Sequence, residues 1–363
     1  MKKILFLTFV STFILSSCSN DGVSEPEYKS PWDVYLLNEG SWGKNDASIS
    51  ALNLTTNTLS SDIYYNSNNK YLGDVAQSIV YGDNHCLYVA VSESKYIAKL
   101  DANGKELMRY QTTDKENQPR CLLLKDGSLY ASFYGTDTDG GLVAKLDTAN
   151  LSVSSRVKVG SYPEEIAEIN GTIAVCNSGY GYSNTLSMID IKSMSIKNEV
   201  VLPHLNPQDI VTCNGKFYCN TTEYDEYWNA VSTIVEVDPS SYATKNIAEA
   251  FIMAPVGNKL YLAKTMTNYY TTPYSYDNSF SVYDTSTGKL SNEFISSKLA
   301  ETLKDKGIYS MIGSPDNSEF YIMVNNQEGT NYVNSDVYVC TIDGQVKQTI
   351  KTGVLTSKIA FAQ

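Results

Sequence analysis

The sequence predicts an all-β chain, folded as a seven-bladed β-propeller of four-stranded antiparallel blades closed by its C-terminal strand. Three observations predict it. A short apolar strand, usually centred on tyrosine, recurs seven times at intervals of roughly 45 residues, a period that marks repeat architectures. Tight-turn dipeptides precede several of these strands, and strands ending in Asp follow them. A spare strand stands at the C-terminus while the first repeat lacks its innermost one, which is the arrangement that hides the free edges of a ring. Two stacked sandwiches would also be all-β, but they do not require one repeat in a fixed register.

In chain order the recurring strand is Val34-Tyr35-Leu36, Leu87-Tyr88-Val89, Leu129-Tyr130-Ala131, Ile173-Ala174-Val175, Phe217-Tyr218-Cys219, Leu260-Tyr261-Leu262 and Phe320-Tyr321-Ile322. The preceding turns are Asp126-Gly127, Asn170-Gly171, Asn214-Gly215 and Gly257-Asn258. Ahead of three of them, in one register, lie Pro119-Arg120-Cys121, Pro163-Glu164-Glu165 and Pro207-Gln208-Asp209, which read as the starts of innermost strands. The following strands end in Asp101, Asp147, Asp190, Asp238 and Asp284, whose carboxylates can accept from the next turn. Fourth strands such as Glu106 to Gln111 complete each blade. Lys298 to Lys306 reads as a short amphipathic helix between blades six and seven, and Ser357 to Phe361 as the strand that completes blade one. The six tyrosines share one repeat position, so packing between blades explains them better than six ligand contacts.

The N-terminus reads as an address. Met1-Lys2-Lys3 followed by the apolar stretch Ile4 to Leu15 has the layout of a secretory signal and is too short to span a bilayer. Leu15-Ser16-Ser17-Cys18 resembles a bacterial lipoprotein processing box, in which Cys18 receives the lipid. The expected organisation is therefore a signal peptide over 1–17, a lipidated Cys18 with a flexible tether over 18–32, and the propeller over 33–363. The expected location is the outer membrane, lipid-anchored and surface-exposed. Of six further cysteines, Cys86, Cys121, Cys176 and Cys340 sit singly in apolar strand runs and read as buried free thiols. Cys213 and Cys219 flank one hairpin turn on opposite faces, so they are not expected to bridge.

Composition narrows the function. With 28 basic against 40 acidic residues the net charge is −12, which argues against nucleic acid as partner. Only two histidines are present, which disfavours His-based triads and His-rich metal sites. His85 reads as a turn residue and His204 as a surface residue after a proline. Asp137-Thr138-Asp139-Gly140 lacks the loop length and terminal Glu of an EF-hand and reads as a solvated turn. Glu223, Asp225 and Glu226 offer carboxylates without a spacing that would define an acid–base pair. No phosphate-binding, nucleophile-elbow or dinucleotide motif occurs. A non-catalytic binding protein without metal or cofactor is the expectation.

The connections between second and third strands share one face and are rich in tyrosine and tryptophan, which is costly on a water-facing rim unless a partner uses it. Trp42, Tyr180, Tyr182, Tyr227 and Trp228 are the candidate wall contacts. Gln77, Arg120 and Gln208 are the candidate floor, with Glu164, Glu165 and Asp209 ringing the same channel mouth. Packing of the loops on one another would account for the aromatics without any ligand.

Asn38-Glu39-Gly40, Asn45-Asp46-Ala47-Ser48-Ile49-Ser50 and Leu72-Gly73-Asp74-Val75-Ala76-Gln77-Ser78 resemble YncE-like seven-bladed propeller lipoproteins of Gram-negative gut anaerobes. Tyr162-Pro163-Glu164-Glu165-Ile166-Ala167 and Asn177-Ser178-Gly179-Tyr180-Gly181 fit the same set, which includes BtuG-type cobalamin-capture proteins. The resemblance implies capture of a corrinoid and its transfer to a TonB-dependent transporter. A glycan ligand, or a scaffold role with a protein partner, uses the same aromatic rim and stays open beside it.

Overall fold

The computed structural model describes residues 30–136, 138–226, 229–292 and 297–362. The leader, Cys18 and most of the tether lie outside these residues. Blade 1 contributes β1 (Val34–Asn38), β2 (Ser48–Asn53) and β3 (Thr58–Ser60), followed by the helix α1 (Ile63–Asn68). Blade 2 is β4 (Ala76–Tyr81), β5 (Cys86–Val91), β6 (Tyr96–Asp101) and β7 (Glu106–Gln111). Blade 3 is β8 (Pro119–Lys125), β9 (Ser128–Thr136), β10 (Gly140–Asp147) and β11 (Val153–Lys158). Blade 4 is β12 (Pro163–Ile169), β13 (Thr172–Asn177), β14 (Thr185–Asp190) and β15 (Ser195–Val201). Blade 5 is β16 (Pro207–Cys213), β17 (Lys216–Tyr224), β18 (Ala230–Val237) and β19 (Thr244–Glu249). Blade 6 is β20 (Ile252–Val256), β21 (Lys259–Asn268), β22 (Ser275–Asp284) and β23 (Lys289–Ser291), followed by α2 (Ser297–Leu303). Blade 7 is β24 (Gly307–Gly313), β25 (Glu319–Glu328), β26 (Asn331–Thr341) and β27 (Val346–Val354). The last strand, β28 (Thr356–Phe361), pairs antiparallel with β1 and gives blade 1 its innermost strand, as the sequence predicts.

Each second strand carries a run of at least four consecutive buried residues because it is covered on both faces. Period-2 alternation sends Tyr35 and Leu37 toward blade 2, and Val34 and Leu36 toward blade 7. The apolar core accordingly divides into seven clusters, one at each junction between neighbouring blades. The tyrosine column lies inside these junctions, with all six members buried. Three of its hydroxyls donate to carbonyls just past the third strand of the next blade: Tyr35 to Ala102 at 2.8 Å, Tyr88 to Thr148 at 2.9 Å, and Tyr261 to Ile342 at 3.3 Å. Each of these three rings thus finds the partner its polar tip needs and fixes the height of the neighbouring blade.

Turn chemistry follows the sequence closely. Asp126-Gly127, Asn170-Gly171 and Asn214-Gly215 have positive φ at both positions, whereas Gly257-Asn258 has it only at the glycine. The five predicted Asp carboxylates all accept backbone N–H groups of the following turn, for example Ala149 to Asp147 at 2.6 Å and Ser241 to Asp238 at 2.8 Å. The helix α2 is shorter than predicted, because 304–306 form a turn, and it buries Leu299 and Leu303 between blades 6 and 7. Ser30 and Trp32, read as the end of the tether, already touch the propeller: the Ser30 hydroxyl bonds Tyr35 Oη, and Trp32 packs on the junction of blades 1 and 2. Six described cysteines are buried free thiols. Cys213 and Cys219 lie in different junctions, as alternation requires.

Closure rests on β28. Removing residues 356–363 uncovers an edge of β1 and opens the ring, so the shortened chain is expected to lose the single sharp transition of the full propeller in calorimetry. An equally sharp melt would show that the ring holds without its last strand.

Candidate functional site

The second-to-third connections and the starts of the innermost strands share one face of the ring. In six of the seven innermost strands the ladder shifts register where the strand begins, as between Pro119 and Leu122, Pro163 and Ile166, and Pro207 and Asp209. A bulge there inserts an unpaired residue and re-aims side chains. Two consecutive residues of one strand, such as Glu164 and Glu165 or Gln208 and Asp209, consequently both line the channel mouth. They enclose a cavity of about 230 Å³ together with Gln77, Arg120, Cys121 and Lys358. The three floor residues read from the sequence are brought together here.

The mouth is an ordered electrostatic network. Arg120 pairs with Glu164 through both Nη2 (2.8 Å) and Nε (2.9 Å), and Tyr134 Oη donates to the other oxygen of Glu164 at 2.6 Å. Arg120 is therefore a fixed cation rather than a free donor. Lys358, on the closing strand of blade 1, reaches across the channel to Glu165 of blade 4 at 2.7 Å, and the Cys121 thiol donates to the second oxygen of Glu165. Burial opposes the Lys358 charge, but Glu165 and Asp209 outweigh it and hold its pKa above the ordinary lysine value. Burial, with Glu165 close by, pushes the Cys121 thiol well up, so it is a poor nucleophile. Glu39 accepts from Gln77 Nε2 at 3.1 Å and from Tyr309 Oη at 3.0 Å, and burial raises its pKa. Asp209 is also raised, by burial first and by Glu165, against the pull of Lys358.

Glu39, Tyr309 and Lys358 were not read as site residues. Glu39 comes from a loop and Lys358 from the closing strand, while Tyr309 stands at the bulge position that carries Gln77, Arg120, Glu164 and Gln208 in other blades, but as an aromatic residue rather than a polar one. Gly40 makes the Glu39 loop possible: its φ is +77°, and a Cβ there would lie 2.5 Å from the Ala47 nitrogen.

Above the mouth an aromatic ladder climbs to the rim. The Arg120 guanidinium lies 4.6 Å from the centre of the Tyr134 ring. Tyr134 meets Tyr162 edge-on at 5.1 Å, and Tyr162 meets Tyr180 at 5.3 Å. Tyr162 and Tyr180 both have positive φ, 49° and 56°, an uncommon backbone for tyrosine. Tyr180 ends the ladder 72% exposed. Trp42 and Tyr182 are also exposed on this face, 78% and 89%, and neither lines the cavity. Tyr227 and Trp228 lie outside the described residues. In blades 5 to 7 the predicted loops are partly strand: β21 and β22 pair as far as Asn268 and Ser275, carrying Tyr269, Tyr270 and Tyr274 at the tip of a ribbon.

The remaining candidates have structural partners. His204 Nε2 accepts from Asn246 at 3.0 Å, which leaves Nδ1 to donate to Glu223, whose other oxygen accepts from the Leu205 nitrogen. Asp225 accepts from Asn229 across its own turn. Among the described residues no group of three His, Cys, Asp or Glu side chains is placed to hold a metal ion.

No family model matches the chain, and no curated protein matches it. Among solved structures it is similar to a hypothetical selenium-binding protein from Sulfolobus tokodaii, at 10% identity over 91% of this chain and 94% of that one, with a TM-score of 0.62. A protein from Lactobacillus plantarum is similar at 14% identity over 92% and 100%, with a TM-score of 0.59. Kuenenia stuttgartiensis hydrazine synthase is similar at 14% identity over 78% and 86%, with a TM-score of 0.57. Identities this low carry the fold and no activity.

Two expectations follow from the network. A raised carboxylate binds its proton more tightly folded than unfolded, so Asp209 destabilises the fold wherever it is ionised. Asp209→Asn is expected to raise the melting temperature at pH 7, and the gain should vanish as pH falls through the folded pKa to below the ordinary value of 3.8. Arg120→Gln leaves Glu164 without its counter-ion and is expected to cost about 2 kcal/mol in urea denaturation.

Proposed function

We propose that this chain is a non-catalytic binding propeller that captures a small polar ligand on its loop face. The observation that carries this reading is the ladder from Arg120 through Tyr134 and Tyr162 to exposed Tyr180, which joins a polar mouth to an aromatic rim. Fixed cations, carboxylates and amides at the floor give orientation, and rigid aromatic rings give contact area at small entropic cost. Catalysis has less support, because the one channel thiol is suppressed and both described histidines sit away from the mouth.

The resemblance to YncE-like lipoproteins adds the finer reading: lipidation at Cys18, display on the outer membrane, and capture of a corrinoid for a TonB-dependent transporter. A corrinoid is broad, rigid and fringed with amides. Its ring would lie across Trp42, Tyr180 and Tyr182, with one side arm entering the mouth, since about 230 Å³ is far too little for the macrocycle. A glycan is the second reading, favoured by the flat exposed faces of the same three residues.

Colour separates them. The propeller mixed with cyanocobalamin and desalted should carry the red chromophore in its protein fraction. Tyr180→Ala and Trp42→Ala should each weaken retention about ten-fold with little change in melting temperature. A colourless protein fraction at micromolar concentration would exclude the corrinoid and turn the search to a glycan panel and to protein partners.

A further inference from the structure

The charges of the mouth do not balance. Four carboxylates face it (Glu39, Glu164, Glu165 and Asp209), against two cations, Arg120 and Lys358. Arg120 is held by Glu164 through two nitrogens. Lys358 forms its ion pair with Glu165 and stands within electrostatic reach of Asp209 as well. Glu39 has neutral donors alone at hydrogen-bond distance, the Gln77 amide and the Tyr309 hydroxyl. Two carboxylates thus remain without a cation of their own, Glu39 and Asp209, and they line one adjoining cavity of about 190 Å³, whose lining Lys358 shares while its ion pair is made to Glu165.

An independent observation marks the same cavity. Asn220, the cross-strand partner of Asp209, also lines it and is 5% exposed. Its amide nitrogen donates to the Phe251 carbonyl at 2.6 Å and to Ser232 Oγ at 3.4 Å, while its Oδ1 is buried without a hydrogen-bond partner. A buried acceptor left open is costly, and a donor arriving from the channel would relieve it.

We infer that this cavity is the seat of a primary ammonium group, taken between the Asp209 carboxylate and the Asn220 carbonyl oxygen with Glu39 facing it. The inference rests on the loop-face binding reading and names the chemistry of the group that enters the mouth. An ammonium brings three donors and one positive charge, which matches one open amide oxygen and the uncompensated carboxylates. A carboxylate or phosphate would add to a surplus of negative charge. A neutral hydroxyl or amide supplies donors without the charge and should bind more weakly.

The test uses 1,5-diaminopentane against two probes of equal length, 1,5-pentanediol and glutarate, titrated calorimetrically into the propeller. The diamine should bind at least about ten-fold tighter than the diol, with glutarate weakest. Asp209→Asn, expected to fold at least as stably as the parent, should lower diamine affinity about ten-fold or more. Asp83→Asn, an exposed carboxylate in a tight turn of the opposite face, should leave it within two-fold and so accounts for diffuse attraction to an acidic protein. Equal binding of diamine and diol, or diamine binding indifferent to Asp209→Asn, would overturn the inference. Cyanocobalamin and glycan retention measured on the same proteins keeps the two readings apart. Retention without any amine preference sinks the ammonium seat alone, and Asp209-dependent diamine binding without retention sinks the corrinoid and glycan readings alone.

Discussion

A ring of seven sheets closes only if every blade meets its neighbour at the same height, and in this protein the buried tyrosine column sets that height. Each ring fills the wedge between two blades, and where the hydroxyl reaches the next blade's carbonyl the contact has a single register. Apolar area drives the blades together without direction; the hydrogen bond supplies direction. Blade 4, with Ala174 at this position, shows that even the ring can be missing: Ile173 and Val175 turn into the junction with blade 3, while Ala174 and Cys176 join Phe217 and Cys219 in the junction with blade 5.

Close packing of the blades leaves the axis as the place where side chains cannot pack. Seven strands converge there, and what lines the axis is set by the bulges that begin the innermost strands. Those bulges turn charged residues inward, and the charges hold one another across the opening. The resulting network is stiff at Arg120–Glu164 and at Lys358–Glu165, and polar but undercharged at Glu39 and Asp209. Burial raises the pKa of both, so each lowers the stability of the fold when it is ionised.

Much of the fold was legible because it repeats. The tyrosine strands, the Asn-Gly turns and the Asp-capped turns recur in register, so each copy corroborates the others. The channel residues Gln77, Arg120 and Gln208 were legible for the same reason, since they occupy one repeat position. What escaped was what does not repeat. Glu39 follows a second strand only in blade 1, Lys358 belongs to the strand that closes the ring, and Tyr309 stands where other blades carry Gln, Arg or Glu. Tyr180 was read as a wall contact, but its stacking through Tyr162 and Tyr134 escaped, because Tyr162 and Tyr180 adopt a left-handed backbone that tyrosine rarely takes and composition gives no sign of it. The wall assigned to Trp42 and Tyr182 is on the expected face but stands away from the cavity, because a loop's sequence does not say how far it leans over the axis.

Lys358 holds the centre of the mouth from β28, a strand that joins blade 1 only after the six other blades have been laid down. The cavity therefore has no finished electrostatics while the chain is still growing, or in any product that stops short. Six whole blades and three strands of blade 1 present Glu165 and Asp209 to each other with no ammonium between them, a repulsive pair. Assembly of the mouth's charges is in this way tied to closure of the ring: without β28 the mouth keeps its carboxylates and lacks the lysine that holds them.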